Sequence, residues 1–185
     1  MTKTEARKLA KACRAAVDLH TVGHAMAGVL FALPAWQHAD TVLAFASMPD
    51  EPDTADILRQ ALAEGKRLLL PRVLSRTEMD WVEITALSQL QPRAYGILEA
   101  PASLPAFDTA HLGDGALALI PCLAASPDGV RLGRGGGYYD RFLAHYKGKR
   151  LLVCPTAALL GDLPCEGWDV RFSLHEILTE KGILL

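Results

Sequence analysis

The sequence predicts an α/β fold in one domain, and three observations predict it. Short apolar runs rich in branched side chains alternate with stretches of helical period, the pattern of a largely parallel sheet with crossover helices. The composition is that of an ordinary globular chain: of 185 residues, 50% are hydrophobic and 22% charged. No internal repeat, low-complexity tract or linker divides it.

The elements follow in order. The segment "TKTEARKLAKACRAAVDLH" has helical period, with Ala6, Leu9, Ala10, Cys13, Ala16 and Val17 on one face. Lys3, Arg7, Lys11 and Arg14 form a second stripe at spacings of four, four and three. That stripe reads either as a solvated edge or as an arm delivering cations to an anionic ligand. A second helix covers "TVGHAMAGVLFAL" and stops before Pro34. "TVLAFAS", from Thr41 to Ser47, is a buried strand. "DTADILRQALAEGK" is a helix, capped by Asp53 or Thr54 and ended by Gly65. "RLLLPRV" is a second buried strand, and the alternating "MDWVEI" is an edge strand. Residues 88–114 are loop-rich. "ALALIP" is a strand, "YYDRFLAHY" a helix, "RLLVCP" a strand and "EILTE" a last short strand. The whole, residues 1–185, reads as a single-domain, mostly parallel Rossmann-like sheet flanked by helices. Ligands in such sheets bind beyond the carboxyl ends of the strands. Three loops leave those ends: "SMPDEPDT", the loop after "RLLLPRV", and a glycine-rich loop after "ALALIP".

Charge and cysteine usage narrow the function classes. A formal net charge of −2 gives no global attraction to nucleic acid or membrane. A basic N-terminal arm for RNA is disfavoured, because the charge is local and no basic surface interleaved with aromatics is visible. No uncharged apolar run is long enough to span a bilayer; the longest, "AMAGVLFALPAW", carries Pro34. No secretory h-region follows the early charges. The N-terminal helix has the look of a transit peptide, but Glu5, Asp18 and the lack of serine argue for a part of the fold. The four cysteines, Cys13, Cys122, Cys154 and Cys165, show no zinc spacing, and so few suggest a reducing compartment. Each reads as a small buried hydrophobe. The expected location is cytoplasmic and the expected state a monomer.

The stretch that carries chemistry is "RLGRGGGYYDRF", Arg131 to Phe142. Gly133, Gly135, Gly136 and Gly137 fall within five positions between a strand and a helix. Glycine backbones let N–H groups converge on an anion. Arg131 and Arg134 add charge-assisted donors. The pattern fits a phosphate-bearing ligand, yet it lacks the GK[ST] of a Walker loop, and Tyr138 stands where a dinucleotide fingerprint needs glycine. Asp140 reads either as a metal ligand or as a first-turn carboxylate favoured by the helix dipole.

"RLGRGGGYYDRFL" closely resembles the signature of the 5-formyltetrahydrofolate cyclo-ligase family, the methenyltetrahydrofolate synthetases. The likeness extends over nearly the whole chain: a basic opening helix with Lys3 and Arg7 four apart, the "SMPDEPDT" loop, "GILEA" at 96–100, and "LPCEGWDVRF". The resemblance implies ATP-dependent closure of 5-formyltetrahydrofolate to 5,10-methenyltetrahydrofolate, with release of ADP and phosphate. ATP phosphorylates the formyl oxygen, and the bridge nitrogen of the folate then attacks the formyl carbon. Lys3, Arg7, Arg131, Leu132, Gly133, Arg134, Gly135, Gly136, Gly137, Tyr138 and Tyr139 would hold the nucleotide, and Asp140 would hold Mg²⁺. Ala46, Glu51 and Tyr95, with Arg134 to Tyr138, would hold the reduced folate. Arg134 and Tyr138 would act in catalysis.

The sequence departs from the family pattern near the C-terminus. The family often carries a second metal-binding aspartate there; Ser173 or His175 stands in its place, depending on the alignment. Arg171 replaces a proline, Ala158 a common glutamine, and Gly136 a lysine of some members. These changes leave a second reading open: a catalytically weakened homologue that binds folate or nucleotide.

Overall fold

The computed structural model describes residues 1–92 and 98–185. Its centre is a seven-stranded sheet in the order β11-β10-β9-β6-β1-β2-β3. The strands are β1 (Thr41–Leu43), β2 (Arg67–Val73), β3 (Met79–Ile84), β6 (Ala116–Pro121), β9 (Lys149–Val153), β10 (Ile177–Thr179) and β11 (Gly182–Ile183). Two small ribbons pair β4 (Gln91–Pro92) with β5 (Leu98–Glu99), and β7 (Ala124–Ala125) with β8 (Arg131–Leu132). The five inner strands, β10 through β2, are parallel, while β3 and β11 close the two edges antiparallel. The expected mostly parallel sheet and the edge position of "MDWVEI" are therefore found; β11 was not expected.

The period-2 pleat divides the apolar runs between two cores. Leu43, Leu69, Ala118 and Ile120 face one side, with Ala6 and Ala10 of helix α1 (Lys3–Ala15). Val42, Leu68, Leu70, Leu117 and Leu119 face the other, with Met26 and Leu30 of helix α2 (Leu19–Ala32). Buried on both faces, these strands show no polar alternation.

The predicted first helix is interrupted. Thr2 and Glu5 form a capping box at its start, but it ends at Ala15, and the Asp18 carboxylate caps α2 by accepting from the His20 amide. Its buried stripe also differs from the sequence reading. Ala6, Ala10 and Arg14 are inward, whereas Leu9 and Ala16 are exposed. Arg14 is 1% exposed. Its Nε donates to the Leu123 carbonyl (2.9 Å), Nη1 to the Asp50 carbonyl (2.7 Å), and Nη2 to the Cys122 carbonyl. Three backbone acceptors solvate a charge that hydrocarbon would reject.

After the one-turn helix α3 (Pro34–Gln37), β1 gives only three ladder residues, and the chain turns away toward helix α4 (Ala55–Ala63). Thr54 does not cap α4. Its hydroxyl donates to the Phe45 carbonyl (2.7 Å), while Asp53 Oδ1 accepts from the Ala55 amide. Gly23 on α2 lets the 48–54 loop approach: a Cβ there would lie 2.2 Å from the Asp53 carbonyl oxygen. Helix α5 (Tyr138–Leu143) is shorter than expected, and Lys149–Val153 continues into the sheet as β9. Of the cysteines, Cys122 and Cys154 are buried as expected, but Cys13 is half-buried and Cys165 exposed.

Candidate active site

The chain order reverses between β1 and β6: β1 leads to β2 on one side, and β6 returns on the other. Such a switch point opens a crevice beyond the strand ends. A pocket of about 700 Å³ lies there, lined by Ala46 just past β1 and by Pro121 and Cys122 at the end of β6. Lys3, Arg7, Glu51, Arg131, Leu132, Gly133, Arg134, Gly135, Gly136, Gly137, Tyr138, Tyr139 and Asp140 line it too. Fourteen of the fifteen expected site residues thus share one cavity. The fifteenth, Tyr95, lies outside the described residues.

The glycine loop is shaped by two different demands. Gly135 (φ 104°) and Gly137 (φ 66°) adopt left-handed backbone that side chains disfavour. At Gly133 and Gly136 the demand is space: a Cβ would sit 3.1 Å from the Arg131 guanidinium or 2.6 Å from the Tyr138 ring. Arg141 braces the loop, its Nη2 donating to the Gly136 carbonyl at 2.7 Å.

The basic stripe of α1 is an arm facing the site. Arg7 Nε donates to the Gly133 carbonyl at 3.0 Å. Lys3 Nζ bridges Glu166 and Asp169, each at 2.8 Å. Arg14 is buried as described, and Lys11 alone stays on the exposed edge. Burial of Asp169 would raise its pKa, but the Lys3 ammonium outweighs this and holds the carboxyl below the usual range.

Each loop arginine is held by acids. Arg131 Nε donates to the Pro121 carbonyl (2.9 Å) and Nη1 to Asp140 (3.1 Å), while the guanidinium lies over the Tyr139 ring. Arg134 Nη2 donates to Glu51 Oε1 (2.9 Å) and to Asp50 Oδ1 (2.5 Å). Glu51 is 8% exposed, and its other oxygen accepts from the Met48 amide at 2.9 Å. Partial burial opposes ionisation of Asp50; the Arg134 guanidinium overcomes it and lowers the pKa. Tyr138 donates its hydroxyl to the Ser75 carbonyl at 2.7 Å, spanning to the β2–β3 turn. Tyr139 is half-buried, edge-on to Trp81, and desolvation drives its phenol pKa up.

Sequence reasoning named Arg14 in the cationic stripe but missed its burial, and it missed Asp50, Glu166, Trp168 and Asp169. Asp50 adjoins Glu51 in a loop already singled out, so adjacency could have found it. Glu166, Trp168 and Asp169 stand in "LPCEGWDVRF", and their link to Lys3 has no local signal. The Ser173 and His175 side chains lie elsewhere: both residues are exposed, and neither lines the pocket. Among the described residues, no three His, Cys, Asp or Glu side chains form a metal-binding group.

Residues 2–180 match the model of the 5-formyltetrahydrofolate cyclo-ligase family. The chain belongs to that family. A 5-formyltetrahydrofolate cyclo-ligase of Escherichia coli K12 is 32% identical over 137 residues, covering 71% of this chain and 74% of the relative. One from Mycolicibacterium smegmatis is 29% identical over 153 residues, covering 78% and 76%. Among solved structures, a 5,10-methenyltetrahydrofolate synthetase of Aquifex aeolicus superposes with a TM-score of 0.82 at 26% identity, covering 100% of this chain and 92% of that one. A Mycoplasma pneumoniae synthetase shares the fold, with a TM-score of 0.74 at 22% identity. The resemblance carried by the glycine signature therefore holds, and with it the expectation of a ligase.

Proposed function

We propose that this protein closes 5-formyltetrahydrofolate to 5,10-methenyltetrahydrofolate, with ATP converted to ADP and phosphate. The formyl oxygen attacks the γ-phosphorus and ADP leaves. The bridge nitrogen then attacks the activated formyl carbon, the C–O bond breaks to release phosphate, and the proton of the bridge N–H leaves with the phosphate. Both steps develop charge on phosphate oxygens and need positioning more than covalent help. The observation that carries the reading is the convergence of three cation sources on one pocket: Arg7 from α1, and Arg131 and Arg134 from the glycine loop. Arg131 and Arg134 are paired with carboxylates that a phosphate can replace as the acceptor.

In this reading Glu51 hydrogen-bonds the pterin, with Ala46 as wall and Tyr95 as a stacking ring. Tyr138 sits against the reacting group, and its hydroxyl leaves Ser75 when substrate enters. A divalent cation fits one protein carboxylate, Asp140. Mg²⁺ keeps several waters and takes other oxygens from substrate phosphates, so a single carboxylate suits it. Asp140 would hold that ion, which would supply charge neutralisation on the phosphates.

The test is near-ultraviolet absorbance of the methenyl product from purified protein with 5-formyltetrahydrofolate and Mg²⁺, with and without ATP. ATP-dependent absorbance is expected, and its absence would sink the reading. The exposed positions of Ser173 and His175 favour the second reading, a folate or nucleotide binder that has lost turnover. That reading predicts ligand-induced thermal stabilisation without ADP release, and measured turnover rules it out.

A further inference from the structure

We propose that Trp168 is the stacking platform for the adenine ring of the nucleotide, at the end of the pocket farthest from Glu51. The proposal rests on reading the pocket as a joint ATP and folate site.

Trp168 is 75% exposed, whereas Trp36 and Trp81 are buried. A large indole left in water lines the same pocket as the glycine loop. The turn that carries it is braced. The Glu166 amide donates to Asp169 Oδ2 (2.8 Å), and the Asp169 amide donates to the Glu166 carbonyl (3.0 Å), so a tight turn carries the indole. Both turn carboxylates grip Lys3. An exposed indole on a braced turn at the pocket wall suits a flat heteroaromatic ring.

Helix α1 gives the order of parts along the pocket. Lys3 holds the Trp168 turn, Arg7 the glycine loop, and Arg14 the Asp50 carbonyl beside Glu51. Lys3 and Arg14 are separated by roughly 16 Å along the axis, at about 1.5 Å per residue. The phosphate-binding loop therefore lies between Glu51 and Trp168. In the reaction the γ-phosphate meets the formyl group of the folate. The rest of the nucleotide must then trail away from Glu51, which brings its base to Trp168.

The test is calorimetric binding of ADP and of inorganic tripolyphosphate to wild type, Trp168→Ala and Trp168→Phe, with thermal melting to confirm folding. Loss of one stacked base predicts ADP binding roughly 5- to 150-fold weaker in Trp168→Ala. Trp168→Phe should recover most of it, and tripolyphosphate should bind all three alike. Unchanged ADP binding by Trp168→Ala overturns the proposal, as does equal weakening of ADP and tripolyphosphate. So does a raised KM for the folate with ADP binding intact, which would assign the indole to the other substrate. If wild type binds neither ADP nor tripolyphosphate, the nucleotide reading of the pocket itself falls.

Discussion

At one end of the pocket Arg134 sits between Asp50 and Glu51; at the other, Lys3 sits between Glu166 and Asp169. Each cation has one more buried acid, Glu51 or Asp169, and one more exposed acid. The difference is in the cation. Arg134 presents a planar fork that engages Asp50 through two nitrogens and also reaches Glu51 through Nε and Nη2. Lys3 is a point charge on a flexible stem. A fork fixes orientation as well as charge, and an ammonium supplies charge alone. The Arg134 fork therefore fixes the geometry of its end, while at the other end Lys3 tethers the 166–169 turn through charge alone.

Replacing the fork is the strongest way to break that contrast. Arg134→Ala should lower kcat/KM by about 10²–10³, the scale of losing one preorganised transition-state donor, and Arg134→Lys should recover little of it. An unchanged rate with intact fold removes Arg134 from the site. Next in size is the buried cation behind the Glu51 end. Arg14→Ala strands three carbonyls and should cost about 2–4 kcal/mol in urea unfolding. A loss under about 0.5 kcal/mol would show water taking over those carbonyls without penalty.

Asp140→Asn should raise the Mg²⁺ concentration for half-maximal rate about tenfold; an identical titration leaves Asp140 as a first-turn helix carboxylate. At the Lys3 end, Lys3→Arg should keep the rate within about threefold, since one charge serves as well as another there. A loss as large as that of Arg134→Ala would erase the distinction between the two ends.

The smallest effect is on acid stability. Asp50 and Asp169 have folded pKa values below their unfolded ones. Their contribution is complete above the unfolded value of about 3.9 and is lost as pH falls through the folded one. The melting temperature of wild type should exceed that of Asp50→Asn at pH 7, and the two should converge below about pH 4. A constant gap down to pH 2 would show that the carboxylate charge is not what Arg134 stabilises.

Much of this was legible in the chain. The inner strands announced themselves as apolar runs, because two buried faces allow no polar alternation. The glycine loop was found by type and spacing, Glu51 and the Lys3–Arg7 pair were singled out by the family resemblance, and all line one pocket. The buried face of α1 was misjudged for a physical reason. Helical period assigns faces by hydrophobicity, so it placed Arg14 in the cationic stripe and Leu9 on the apolar face. The reverse holds, because Arg14 has carbonyls from two other segments to solvate it. Thr54 failed as a cap in the same way: its hydroxyl found Phe45, which only the return of the loop brings near.

The sequence by itself determined the alternation of strands and helices, the glycine-rich loop and its family signature, since each is written in residues that are neighbours in the chain. Tertiary structure alone decided which carboxylate each cation meets. Arg134 and Glu51 lie 83 residues apart, and Lys3 and Asp169 lie 166 apart. Charge pairs at such separations follow from how the sheet is wound and leave no periodic trace, because a Coulomb contact depends on distance in space and not on spacing along the chain.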